Sequence, residues 1–211
     1  MKTVLFLSIQ ALLFSFAGSA QGTTVPPRPA EPLGWGKVAN GQFSSPRLGL
    51  KISIPENFTL ISSAEAQLLG SAGADVLKQG NSNKRIDEAL NRTIQLLAIS
   101  EHPVGTLNNA ALEIVAVKQQ VGVTAKMSLT ANVMLLKGTP FVLKSARGPV
   151  RLGANSFETA NLEGEFSGVF LKQRMYVIIQ KGYSIMIAVT YRSDEQISAM
   201  EKVIATLSLA R

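Results

Sequence analysis

The sequence contains no cysteine. That excludes disulfides, thiol nucleophiles, cysteine metal ligands and lipidation through cysteine. Histidine is almost as scarce: His102 is the only one. A zinc site needs several His or Cys ligands, so zinc is not expected. His102 sits in "SEHPVG", beside Glu101 and Pro103, and no G-x-S-x-G elbow accompanies it. A loop histidine explains it more simply than a catalytic one. Ser167 in "GEFSGVF" precedes a glycine but lacks the elbow spacing. Walker A and EF-hand patterns are also missing. Asp87-Glu88 and Asp194-Glu195 are adjacent acids on expected helices, where neighbours point in different directions. Neither is a ready-made carboxylate pair, which leaves a hydrolase only the convergence of distant acids. No cofactor is expected.

What is present begins with a targeting pattern. Lys2 precedes the apolar run "VLFLSIQALLFSFA" (4–17), and the small residues "GSA" (18–20) follow. This reads as a signal peptide, residues 1–20, cut near Ala20. The run is shorter than the ~20 residues that span a bilayer, and no later segment is a transmembrane candidate. An exported domain without cysteine fits a bacterial periplasm or a secreted protein, soluble after cleavage. The Asn57 and Asn91 sequons are then chance matches. Residues 21–40 hold Pro26, Pro27, Pro29 and Pro32 and read as an extended linker, leaving one domain over 41–211. "GWGKVA" (34–39) mimics a dinucleotide fingerprint. Prolines precede it and Asn40-Gly41 follow it, so the strand and helix that the motif needs are not expected. Trp35, the only tryptophan, is a candidate pin between linker and domain.

Hydropathy patterning then gives the elements. Residues 41–45 and 48–54 read as a hairpin stopped by Pro55. Ser62 and Glu65 form a capping box for a helix bearing Leu68, Leu69, Ala72 and Val76. Residues 83–92 offer a short second helix. Strands are expected at 93–100, 111–119 and 156–166, a helix at 125–137, and a loop over 138–153. The strongest signal is residues 169–193, two strands joined by Lys181-Gly182. That register places Tyr176, Ile178, Ile185, Ile187, Val189 and Tyr191 on one face. Met175, Val177, Ile179, Met186 and Ala188 take the other. Both faces are apolar, so both should be covered. Ser193 and Gln196 cap a last helix whose stripe is Ile197, Met200, Ile204 and Leu207. The three tyrosines share one hairpin face, and a packed layer explains them better than a ligand platform. The expected class is α+β: an antiparallel β-sheet sandwiched between helices, three layers α/β/α.

Two stretches carry a family resemblance. "FSSPRLGLKISIPENF" and "YVIIQKGYSIMIAVTYRSDEQISAMEKVIATLSL" bracket residues 42–209. Together they resemble the PsbP-like fold family of plant PsbP, Mog-type Ran-binding proteins and bacterial DcrB-like exported proteins. The resemblance implies a sheet between helices and an accessory or binding role, with no catalytic residues to carry over. Phe58 stands where many relatives have tryptophan, and the missing lipobox cysteine removes an anchored-lipoprotein role.

Charge supplies the candidate site. The chain carries +7 overall, and no acid occurs between Glu113 and Glu158. Lys126, Lys137, Lys144, Arg147 and Arg151 in that stretch are candidates for binding an anionic surface. A solvated basic periphery is the simpler reading. Export and the lack of interleaved aromatics argue against nucleic acid. The expected function is a non-enzymatic accessory or binding protein of the bacterial cell envelope. Its partner would be an envelope protein. The alternatives are an anionic lipid or polysaccharide surface, or an unrecognised hydrolase.

Overall fold

A computed structural model describes residues 35–62, 65–66, 92–104, 106, 108–136, 141–166 and 169–210. Among these the chain forms β1 (Lys37–Ala39), β2 (Gln42–Ser45), β3 (Leu50–Ser53) and β4 (Thr59–Leu60). β5 (Ile94–Ser100), β6 (Ala111–Lys118) and helix α1 (Ala125–Leu135) follow. Then come β7 (Val142–Leu152), β8 (Asn155–Phe166), β9 (Val169–Gln180) and β10 (Tyr183–Tyr191). Helix α2 (Asp194–Ala205) and β11 (Ser208–Leu209) complete the chain.

The strands make two antiparallel sheets. One has the order β1-β2-β3-β11, the other β4-β5-β6-β10-β9-β8-β7. The centre of the larger sheet follows from the Lys181-Gly182 turn, where both residues take positive φ, 48° and 76°. This primed geometry matches strand twist and fixes the register. Gln180 pairs Tyr183, Ile178 pairs Ile185 and Tyr176 pairs Ile187, as the sequence predicts. β6 pairs along the other side of β10, from Tyr183 opposite Lys118 to Thr190 opposite Ala111.

Each face of this sheet buries its own cluster. Val115, Val117, Met175, Val177, Met186 and Ala188 pack with Leu129 and Leu135 of α1. Tyr176, Ile185, Ile187 and Val189 pack with Ile197, Met200 and Ile204 of α2 and with Leu50 and Ile52 of β3. The second cover is thus α2 together with the four-stranded sheet. Thr124 caps α1 by accepting from the Met127 N–H. A full capping box between Ser193 and Gln196 opens α2, with Asp194 and Glu195 in its positive first turn.

The first hairpin also forms as expected, with Phe43 opposite Ile52. β3 stops before Pro55, and Ile52 is fully buried. Ser62 and Glu65 make their reciprocal capping bonds. Ile61 packs beside Ala66 under that capped turn, whereas Phe58 joins the opposite cluster. The helical residues expected at 68–76, and most of 83–92, lie outside the described residues.

Two expectations need correction. Within the span expected as a loop, 138–153, residues 142–152 form β7, an edge strand paired to β8. Register shifts at Leu143/Ser145 and Arg147/Val150 break its alternation. Pro149 sits in the second shift, where an edge strand tolerates a missing donor. The expected linker also ends early, because Lys37–Ala39 pair with β2 through the positive-φ turn at Asn40-Gly41. Trp35 packs edge-on against Tyr183, ring centroids 5.4 Å apart, with the Arg47 guanidinium 3.6 Å above it.

Candidate functional site

The candidate cations reach different parts of this frame. Lys144, Arg147 and Arg151 all lie on β7, whose length is mostly exposed. Lys144 Nζ is 3.3 Å from Glu163 Oε2 on β8. Arg147 pairs Thr159 and Arg151 pairs Ser156, positions of opposite parity on β8. Cross-strand partners share a face, so the two arginines point to opposite faces of the sheet. The Thr159 hydroxyl donates to the Arg147 carbonyl at 2.7 Å, and Arg151 Nε reaches the Gly153 carbonyl at 3.5 Å. Lys126 is exposed in the first turn of α1. Lys137 lies outside the described residues. β7 therefore gathers three of the five cations along one edge, but not on one face.

One polar cluster was not anticipated. Arg174 Nη1 donates to Glu201 Oε1 of α2 at 2.6 Å, and the Tyr176 hydroxyl donates to the same oxygen at 2.6 Å. Arg174 Nε donates to Asn161 Oδ1 at 2.6 Å, and Asn161 Nδ2 donates to Ser145 Oγ at 2.9 Å. The chain of bonds runs from α2 through β9 and β8 to β7. Burial and the hydrogen bond to Glu201 raise the Tyr176 pKa far above the usual phenol range. Tyr176 is held as a protonated donor, which suits a structural tie and not a nucleophile. Burial opposes the Arg174 charge, yet Tyr176 and Glu201 outweigh it and raise its pKa. The signal in the sequence was Arg174 interrupting an otherwise apolar hairpin face.

A second missed group is Glu113, an acid in the apolar run "ALEIVAVK" that is almost fully buried. Gln95 Nε2 donates to its Oε1 at 2.9 Å. The other acids go separate ways. Glu158 covers Gly148, Glu163 meets Lys144, and Glu201 meets Arg174. Among the described residues no three of His, Asp and Glu gather where they could hold a metal. His102 is an exposed turn residue whose backbone N–H and carbonyl bond the Asn109 side chain. Among the described residues, no helix is long and apolar enough to cross a membrane.

No protein-family model matches the chain, and no curated protein is significantly similar to it. Solved structures do match. A crystal structure from Bacteroides thetaiotaomicron aligns over 81% of this chain at 12% identity and TM-score 0.50. The chain spans about half of that protein's length, 48%. Cyanobacterial PsbP from Synechocystis aligns over 80% of this chain and 91% of its own, at 8% identity and TM-score 0.49. LpqN, involved in cell envelope biogenesis of Mycobacterium tuberculosis, aligns over 77% and 83%, at 13% identity and TM-score 0.43. PsbP is thus among the solved structures that this chain resembles.

Proposed function

We propose that the chain is an exported, non-enzymatic accessory protein that binds a component of the bacterial cell envelope. Its framework on this reading is a sheet covered by α1 on one face and by α2 with the four-stranded sheet on the other, with residues 1–20 as export signal. The observation that carries the reading is how the fold divides its charge. A polar cluster, Arg174–Glu201–Tyr176–Asn161, ties α2 to the sheet. Lys126, Arg147 and Arg151 face outward and form no ion pair among the described residues. Arg174, Tyr176 and Glu201 are engaged with one another, whereas these three cations are presented to a partner. Crosslinking in intact cells tests this. The reading expects a discrete adduct with an envelope component, lost when Lys126, Arg147 and Arg151 are changed to Glu. A protein retained in the cytosol, or crosslinked to nothing in the envelope, contradicts it.

A second reading is supported by the same exposed edge. Binding would then be to anionic lipid or polysaccharide through Lys126, Lys137, Lys144, Arg147 and Arg151. It requires association that weakens steeply with salt, because exposed charges are screened beyond ~8 Å at physiological ionic strength.

A further inference from the structure

One end of the larger sheet combines exposed cations with an apolar tip. The Lys181-Gly182 turn, the end of β6 at Lys118 and the Pro46–Gly49 turn meet there. Tyr183 pairs Lys118, and the Gln119 N–H donates to the Gly182 carbonyl at 2.8 Å. Gln180 Nε2 donates to the Leu48 carbonyl at 3.2 Å. A side chain at Gly49 would touch Lys181 Nζ at 3.0 Å, so Lys181 lies over that turn. Ser128 of α1 and Ser184 of β10 are hydrogen-bonded at 2.7 Å, which sets the first turn of α1, with Lys126, at the same end. Arg47, Lys118, Lys126 and Lys181 are all exposed there. None forms an ion pair with a carboxylate among the described residues.

Between Lys118 and Lys126 the chain projects outward. The Val123 N–H donates to the Gln120 carbonyl at 3.3 Å, and Gly122 takes φ +88°. This is a turn with Val121 at its apex. Val121 is fully exposed (107%), and Met127 in the first turn of α1 is half-exposed (50%). Turn apices normally carry polar residues. Here a turn holds an apolar side chain out in water, in the segment between the exposed Lys118 and Lys126. Single exposed apolar residues are common and need no explanation. The cations around this one, and the absence of any described carboxylate answering them, give it an occupant.

We propose that this end docks on an anionic lipid bilayer, with Val121 and Met127 entering the interface and Arg47, Lys118, Lys126 and Lys181 meeting the headgroups. Each lysine near an anionic surface contributes about fivefold to partitioning. The apolar tip adds what pure electrostatic adsorption lacks, contact with the acyl boundary. The proposal rests on the surface-binding reading above, keeps Lys126, and moves the rest of the contact from the β7 edge to the hairpin turn and the end of β6.

The absence of native cysteine makes the test direct. Val121→Cys and Met134→Cys each carry an environment-sensitive fluorophore, in protein expressed with its own N-terminal segment. Met134 is the control because it is also exposed, in the last turn of the same helix. Vesicles of equal parts phosphatidylglycerol and phosphatidylcholine should blue-shift the Val121 label and leave the Met134 label unchanged. Pure phosphatidylcholine should shift neither. Val121→Ser should weaken vesicle co-sedimentation severalfold at unchanged charge. Equal shifts at both labels, a shift with neutral vesicles, or a response to dextran sulfate but not to vesicles would each overturn the proposal. An envelope crosslink without any vesicle response would remove this inference and leave the accessory role standing.

Discussion

The β9–β10 hairpin and the β7 strand belong to one sheet, yet they are built on opposite terms. The hairpin is buried on both faces, and its turn dictates its register. β7 is exposed along most of its length and shifts register twice against β8. The first acts as framework. The second is an edge, protected by bulges, a proline and cations against pairing with other chains. Basic residues on β7 are thus accounted for in part by edge protection. Of those around the Lys181-Gly182 turn, Arg47 also stacks on Trp35, whereas Lys118 and Lys126 are exposed and protect no sheet edge.

Substitutions should separate the two regions by size of effect. Ile187 is fully buried in β10. Ile187→Ala should cost about 3–4 kcal/mol in denaturant unfolding, through lost burial and an incompletely collapsed cavity. Val142 on β7 is largely exposed, and Val142→Ala should stay within about 0.5 kcal/mol. Comparable losses at both sites would erase the distinction.

The two turns sharpen it. Gly153 closes β7–β8 at φ +58°, and an added Cβ would overlap the Ala205 carbonyl oxygen of α2. Gly182 takes φ +76°, but an added Cβ would meet nothing within 4 Å. Gly153→Ala should therefore cost about 2–3 kcal/mol, from strain plus steric overlap. Gly182→Ala should cost about 1 kcal/mol, from backbone strain alone. So β7 is anchored at its turn although its length is open.

Tyr176 links the regions through Glu201. Tyr176→Phe should cost about 1.5 kcal/mol, the scale of a hydrogen bond to a charged acceptor. Because burial raises the folded-state pKa of Tyr176, its contribution is complete below the unfolded value. It should be lost as pH rises above about 10, where the unfolded phenol ionises first. Unfolding measured across that range should show a smaller alkaline loss in Tyr176→Phe. Some loss should persist, because burial also raises the Tyr191 pKa. The smallest effect belongs to β7. Lys144 and Glu163 form a solvent-exposed pair, so Lys144→Ala should change stability by less than about 0.5 kcal/mol.

The same contrast explains what the sequence revealed. The hairpin was legible because Lys181-Gly182 fixes the register and continuous apolar residues fill both faces. α2 was legible through Ser193, Gln196 and one apolar stripe. β7 was hidden because Gly148-Pro149 and two register shifts interrupt its period, and no buried face restores it. The Arg174–Glu201 cluster was hidden because its members are spread over β7, β8, β9 and α2, where only folding brings them together. Charge counted along the chain selected Lys144 and Arg151. Charge located on the fold adds Arg47 and Lys181, which lie outside the acid-free stretch, and joins them to Lys118 and Lys126 within it.

Co-sedimentation with phosphatidylglycerol-containing vesicles compares the two basic regions directly. One variant changes Lys118, Lys126 and Lys181 to Glu, and the other changes Lys144, Arg147 and Arg151 to Glu. The account predicts that the first abolishes binding and that the second weakens it only as far as net charge requires. Loss of binding in the second variant alone would place the contact on the β7 edge and contradict it.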